Sequence, residues 1–236
     1  MKKTTLRTIV TFLIKVLSRT EFLGLENVPV SGALIIATNH MHYLDIPLLF
    51  INPVRTDITA LVTTKYQNHW FIRWFCQTAE GIWINRDIAD FSAMQSASKV
   101  LKEGRALGIS PEGTRSHTNQ LLPAKPGTVL LALKMGVPIV PVAITGTENA
   151  FRRVFTLQRP RFTVRFGPAF TLLPVGPENR EQMYQQYTDE IMCRIAAILP
   201  EKYRGVYADN PLVLKYLSKD LKHENLRAIE LLSIFL

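Results

Sequence analysis

The stretch Ala33-Leu34-Ile35-Ile36-Ala37-Thr38-Asn39-His40-Met41-His42-Tyr43-Leu44-Asp45 decides how the chain is read. Residues 33–37 are continuously apolar, the pattern of a buried strand, and the run begins after a turn-forming segment, Pro29 to Gly32. Directly beyond it lie two histidines and an aspartate, so a buried strand delivers side chains capable of chemistry. The five-residue step from His40 to Asp45 is about one and a half helical turns. That suits a strand-to-helix junction. An imidazole held through one nitrogen by a carboxylate can take a proton at the other near neutral pH.

Outward from this segment, residues 81–84, 106–110 and 138–144 read as further strands. Helical stretches run from Ser92 to Glu103 and from Thr128 to Met135, each followed by a glycine suited to a helix stop. The alternation predicts an α/β fold with a mixed or mostly parallel sheet and helices around it. Arg161 to Phe166 alternates polar and apolar residues, as an edge or exposed-face strand would. A helix is expected from Asn179, with Gln182 completing a capping box, and Pro200 should end it. Leu212 to Leu217 and Leu226 to Leu236 each suit a helix. The expected division is therefore an amphipathic N-terminal helix over 1–20, one catalytic domain over 21–200 and a helical extension over 201–236.

In residues 4–19, Leu6, Ile9, Val10, Leu13, Val16 and Leu17 recur at helical spacing, with Lys3, Arg7 and Lys15 between them. Such a helix either packs on the domain or lies in a membrane interface with its cations on anionic lipid. Lys15 and Arg19 break the pattern of a signal peptide, and no run approaches the ~18 apolar residues of a spanning helix. The expectation is a peripheral protein at the cytoplasmic face of the membrane. The formal charge of +9 implies an anionic partner. No zinc-finger, homeodomain or basic-zipper pattern supports nucleic acid, leaving an anionic bilayer or a phosphorylated substrate. Arg152, Arg153, Arg159, Arg161 and Arg165 are a basic stretch suited to either. Cys76 and Cys193 are too few for a disulfide framework and read as core residues, and neither a metal nor a cofactor is expected.

Two other segments end apolar strands in polar groups. Ser110-Pro111-Glu112-Gly113-Thr114-Arg115-Ser116 offers backbone amides and a guanidinium suited to phosphate, and Gly81-Ile82-Trp83-Ile84-Asn85-Arg86 delivers a second arginine. Open sheets place ligands beyond the carboxyl ends of their strands. No G-x-S-x-G elbow is present, which favours direct attack by an acceptor hydroxyl over an acyl-serine intermediate.

These segments, in this order, resemble the glycerol-phosphate acyltransferase superfamily, and most of all its bacterial 1-acylglycerol-3-phosphate acyltransferases. The first block is His40 to Asp45 after Asn39, the second Gly81 to Arg86, the third Pro111 to Arg115 and the fourth Val137 to Pro141. The likeness extends over residues 22–170. It implies that His40 is the general base and Asp45 its orienting acid. It further implies that Lys65, Arg86, Glu112, Gly113, Thr114 and Arg115 bind the acceptor, with Glu112 fixing the basic groups. Pro138 would shape the donor side. The partners implied are a lysophospholipid, an acyl-CoA or acyl carrier protein donor, and an anionic membrane surface. Acylation of glycerol 3-phosphate at its first position and non-catalytic lipid binding are the alternatives. The chain departs from the resemblance at His42, where members often have serine.

Overall fold

The computed structural model describes residues 1–176 and 178–217. Its elements, in chain order, are α1 (Lys3–Leu17), β1 (Arg19–Leu23), β2 (Leu34–Thr38), α2 (Asp45–Phe50), β3 (Thr59–Thr63), α3 (Trp70–Thr78), β4 (Ile82–Ile84), α4 (Phe91–Lys102), β5 (Ala106–Ile109), α5 (Gly127–Met135), β6 (Ile139–Thr145), α6 (Ala150–Phe155), β7 (Arg161–Phe166) and α7 (Arg180–Ala197). The strands form one seven-stranded sheet in the order β1-β7-β6-β2-β5-β3-β4. Every pairing is parallel except β6 with β7. The α/β fold with a mostly parallel sheet matches the reading of the sequence.

Strand β2 is the centre of this arrangement, with all five of its residues buried. Ile35 and Ala37 face one apolar layer with Leu101 of α4, Val129 of α5 and Ile191 and Ile195 of α7. Leu34 and Ile36 face the other, with Leu48 of α2 and Phe166 of β7. Two covered faces explain why β2 is apolar throughout rather than alternating. The connections from β2 and β5 diverge to opposite sides of the sheet, which opens a crevice at the carboxyl end of β2.

At the opposite end, Arg55 ties the sheet together. It is 2% exposed, donates to both Asp57 oxygens at 2.8 and 2.6 Å, and reaches the carbonyls of Pro29, Gly32 and Gly104. One side chain thus joins the loops that lead into β2, β3 and β5.

Several local expectations change. Strands β1 and β3 are additional to those read from sequence. Arg161–Phe166 is an inner strand, because β1 supplies the edge beside it. Arg19 opens that edge strand rather than ending α1. Asn179 has a left-handed backbone at φ 57° and makes no side-chain cap, so the capping box with Gln182 does not form. From the C-terminal segment, residues 211–217 are helical, and Tyr203, Tyr207, Val213 and Tyr216 are packed into the core with α7. The stretch Leu226 to Leu236 lies outside the described residues. Cys76 and Cys193 are both free and buried.

Helix α1 is fastened to the domain at its start and apolar but exposed toward its end. Leu6 is buried, Lys3 pairs with Glu80 at 3.1 Å, and the Arg7 guanidinium caps the carbonyls of Phe50, Ile51 and Asn52 at the end of α2. Its later turns leave Phe12, Leu13, Val16 and Leu17 exposed. Arg159, read as part of a basic surface, instead donates to the carbonyls of Lys15 and Ser18 and closes the end of α1.

Replacing Arg55 with leucine is expected to cost about 3 to 5 kcal/mol, since Asp57 and three carbonyls lose their donor. Urea unfolding at neutral pH measures this. A loss below about 1 kcal/mol would show that the loops hold their positions without it.

Candidate active site

Asp45 opens α2, is 1% exposed, and accepts four hydrogen bonds. Its Oδ2 receives His40 Nδ1 at 3.1 Å and the amides of Met41 and His42 at 2.8 Å each. Its Oδ1 receives the Thr147 hydroxyl at 2.9 Å. A carboxylate only accepts, so His40 carries its proton on Nδ1 and leaves Nε2 with a lone pair. Position at the first turn of a helix also favours the negative charge.

The residues around the dyad hold its main chain. Asn39 is fully buried and exchanges two hydrogen bonds with the backbone of Ile144, at 2.9 and 2.8 Å, tying the end of β2 to β6. The segment from Ser110 to Lys125 crosses in front of this junction. Gly113 turns it at φ 67°, a left-handed conformation suited to glycine, and the buried Pro111 receives the Lys125 amide at 2.9 Å. Gly81 closes α3 into β4, its amide on the Cys76 carbonyl at 2.7 Å. A Cβ there would stand 3.3 Å from that same oxygen.

Two cavities meet at His40. The larger, about 850 Å³, runs between α1, α3 and α6 and includes Leu13, Ile14, Phe71, Trp74 and Phe151 in its walls. The smaller, about 530 Å³, lies over β3 and β4 toward α4 and α5 and includes Ile84, Phe91, Met94 and Leu130. His40, Ile46, Arg86, Gly113 and Lys125 line both. Lys65, Thr114 and Arg115 line only the larger. Burial lowers the pKa of the Arg86 guanidinium, which has no hydrogen bond or ion pair among the described residues, so it is a desolvated cation open to an anion. The Arg115 guanidinium stacks on the Tyr43 ring, 3.9 Å from its centroid. Lys65 is exposed and sits 3.9 Å from Asp87.

Two of the expected site residues stand apart from the cavities. Glu112 lines neither cavity. It is 3% exposed, and its oxygens accept the amides of His40 and Leu122 at 3.0 and 2.9 Å, so it fixes no basic group. Pro138 precedes β6, and its carbonyl accepts the Ile35 amide at 3.0 Å, at the end of the sheet remote from His40. The same strand does reach the site through Thr147, beyond its other end. Thr147, Tyr43 and Lys125 carried no motif signal, since each matters through its spatial neighbours.

His42 lies three residues before Asp45, the residue that opens α2. Its amide donates to Asp45, and its Nδ1 accepts the Leu44 amide at 3.3 Å. That places the His42 proton on Nε2. Burial lowers its pKa, with Arg115 and His40 adding to the effect against Asp45, so the Leu44 amide is accepted by a neutral ring. The ring also packs on Phe151, centroids 5.0 Å apart.

A histidine and aspartate at a cavity junction, flanked by arginines and served by an apolar groove, define a site for transfer chemistry on a lipid. The family described as Acyltransferase matches residues 19–145, more than half of the chain, and the chain belongs to that family. Its similar curated relatives are 1-acyl-sn-glycerol-3-phosphate acyltransferases. The protein of that name from Borreliella burgdorferi is 29% identical over 178 residues, covering 74% of this chain and 71% of the relative. That of Bacillus subtilis is 31% identical over 125 residues, covering 52% of this chain and 61% of the relative. The chain spans 40% of the length of the Cocos nucifera relative, at 35% identity over 56% of its own. The crystal structure of the 1-acyl-sn-glycerophosphate (LPA) acyltransferase PlsC from Thermotoga maritima superposes with a TM-score of 0.61 at 24% identity, covering 80% of this chain and 76% of that one, and shows a common fold.

Replacing His42 with serine keeps an acceptor near the Leu44 amide but removes a titrating one. The lowered pKa of His42 means that stability from its neutral form is complete above the ordinary histidine pKa and is lost as pH falls below it. His42→Ser is therefore expected to flatten the acid side of the stability profile below roughly pH 6.5, the ordinary histidine value. Thermal unfolding against pH in both proteins checks this, and parallel profiles would assign the acid loss elsewhere.

Proposed function

We propose that this acyltransferase moves a fatty acyl group from an acyl thioester, acyl-CoA or acyl carrier protein, to the sn-2 hydroxyl of 1-acyl-sn-glycerol 3-phosphate, giving phosphatidic acid. The observation that carries the reading is the His40–Asp45 pair, joined at 3.1 Å, where a long apolar cavity meets Arg86 and Arg115. In this reading His40 Nε2 takes the acceptor's hydroxyl proton while its oxygen attacks the thioester carbonyl. The tetrahedral intermediate collapses, the carbon–sulfur bond breaks, and the proton returns to the leaving thiolate. Asp45 stays ionised and stabilises the imidazolium.

Arg86 and Arg115, with Lys65 at the rim, are assigned to the acceptor phosphate, with Gly113 and Thr114 shaping the turn beside it. A guanidinium binds a phosphomonoester through paired, charge-assisted hydrogen bonds. The volume of the larger cavity supports an acceptor that already carries one acyl chain over glycerol 3-phosphate itself. Exposed residues Leu13, Leu17, Phe71, Trp74 and Phe151 stand in its walls. No helix among the described residues is long and apolar enough to cross a membrane. The reading therefore has the lipid entering from a bilayer on which the protein lies, at the cytoplasmic face.

Acyl transfer measured by mass spectrometry with lysophosphatidate, glycerol 3-phosphate and monoacylglycerol, against both donors, tests the assignment. His40→Ala is expected to lose about 10² to 10⁴ in turnover. In Arg86→Ala and Arg115→Ala the preference for lysophosphatidate over monoacylglycerol should shrink by about tenfold or more, because each lost charge-assisted bond removes roughly 1.5 to 3 kcal/mol. Absence of any phosphate preference in the unaltered protein would end the substrate assignment.

The exposed turns of α1 allow a separate check of membrane attachment. Deletion of residues 2–19 would also remove the buried Leu6 and the first residue of β1, so point changes are cleaner. Phe12→Asp with Val16→Asp is expected to weaken binding to vesicles containing anionic lipid while leaving unfolding unchanged. Undiminished sedimentation with such vesicles would place the membrane contact on another face.

A further inference from the structure

The segment from Ser110 to Lys125 grips the main chain of His40 from both sides. Glu112 Oε1 accepts the His40 amide at 3.0 Å, and the Ser116 amide donates to the His40 carbonyl at 2.8 Å. The second Glu112 oxygen takes the Leu122 amide at 2.9 Å, which closes the segment on itself. Asp45 orients the His40 ring, and Glu112 fixes the peptide from which that ring projects. Its side chain lines neither cavity.

We propose that Glu112 is a positioning residue for acyl transfer, holding the His40 backbone through its carboxylate so that the imidazole faces the cavity junction, without touching the acceptor. This rests on the reading of His40 as the base. The carboxylate is needed because both oxygens serve as acceptors. A glutamine amide would turn a donor toward one of the two amides, and that amide would lose its partner, while a protonated acid would accept from them more weakly than the carboxylate does. Two acidic groups face this carboxyl: Asp45 on α2, and Tyr207, whose own pKa is raised to about 12, first by burial and in small part by Glu112. His40 faces it from the end of β2 through its amide. Burial, with Asp45 adding to it and the two amides opposing, pushes the Glu112 carboxyl up to about 7. The group therefore changes charge within the range where acyl transfer is assayed.

The test compares Glu112→Gln, Glu112→Asp and His40→Ala with the unaltered protein, varying lysophosphatidate and acyl-CoA separately, with circular dichroism and urea unfolding on each. Glu112→Gln is expected to lower kcat by about ten- to a hundredfold, as small misplacements of a catalytic group do. KM for both substrates should stay within about threefold, the split expected of a residue that binds neither. The titration near pH 7 contributed by Glu112 should disappear from the residual activity. Glu112→Asp, which keeps the charge on a shorter arm, should recover part of kcat. A raised KM for lysophosphatidate with kcat preserved would overturn the proposal and return Glu112 to the acceptor site. A loss that follows the unfolded fraction in both variants would overturn it in favour of a purely structural role. Normal turnover in folded Glu112→Gln beside inactive His40→Ala defeats this proposal alone, whereas full activity in His40→Ala defeats the base assignment on which it depends.

Discussion

The burial of one negative charge, on Asp45, organises the site. An ionised carboxylate removed from water is tolerable only when its oxygens are supplied with donors. Those donors come from the His40 ring, the two amides of the loop after β2, and Thr147 beyond β6. The demand therefore fixes the loop, sets the imidazole tautomer and draws the ends of β2 and β6 together. The Asn39 bridge to Ile144 reinforces the same junction with neutral hydrogen bonds. A parallel sheet makes this geometry available, because adjacent strands end on the same edge and can present their following loops to one point.

The surroundings of that point differ in character, and the difference follows from the elements that border it. One cavity is roofed by α1, whose first turns are fastened to the domain by Lys3, Leu6 and Arg7 and whose later turns expose apolar side chains. The other is enclosed by α4 and α5 over the sheet. Fastening only one part of a helix lets it serve as a wall on its inner side and still present an apolar stripe outward. Arg159 secures the far end through the carbonyls of α1, so the stripe is held in place rather than free to swing.

Much of this was legible in sequence where chemistry and pattern coincide. Strand β2 stood out because it is buried on both faces and so lacks a polar partner at every second residue. His40, Asp45, Arg86 and Arg115 stood out because each follows a short apolar strand. Strand β1 was hidden because an edge strand with Arg19 and Glu21 facing solvent has no apolar run. Strand β3 carried only a short mixed pattern, Thr59 to Thr63, that periodicity does not separate from a loop. Thr147, Tyr43 and Lys125 were invisible because their roles depend on contacts across the fold. Glu112 was visible as a motif residue but misread, since a charge beside arginines suggests a surface network and only the fold reveals that it is buried against amides.

Glu112 also shows stability and site geometry pulling in opposite directions. Its pKa of about 7 stands above its ordinary value of 4.5, chiefly because burial penalises the charged form. A carboxyl whose pKa rises on folding binds more protons in the folded chain, so its contribution to stability is greatest below the ordinary value and is lost as pH rises through about 7. The hydrogen bonds to His40 and Leu122 run the other way, since the ionised form accepts from these amides more strongly than a neutral acid does. Above neutrality the protein thus holds an anion where folding alone would favour a neutral acid. A buried leucine would avoid the cost of a buried charge but would leave two amides unpaired, one of them on the residue assigned as the base. Keeping an acid at the backbone of the proposed base, despite the cost of burying its charge, suits a site that depends on the fixed position of one ring.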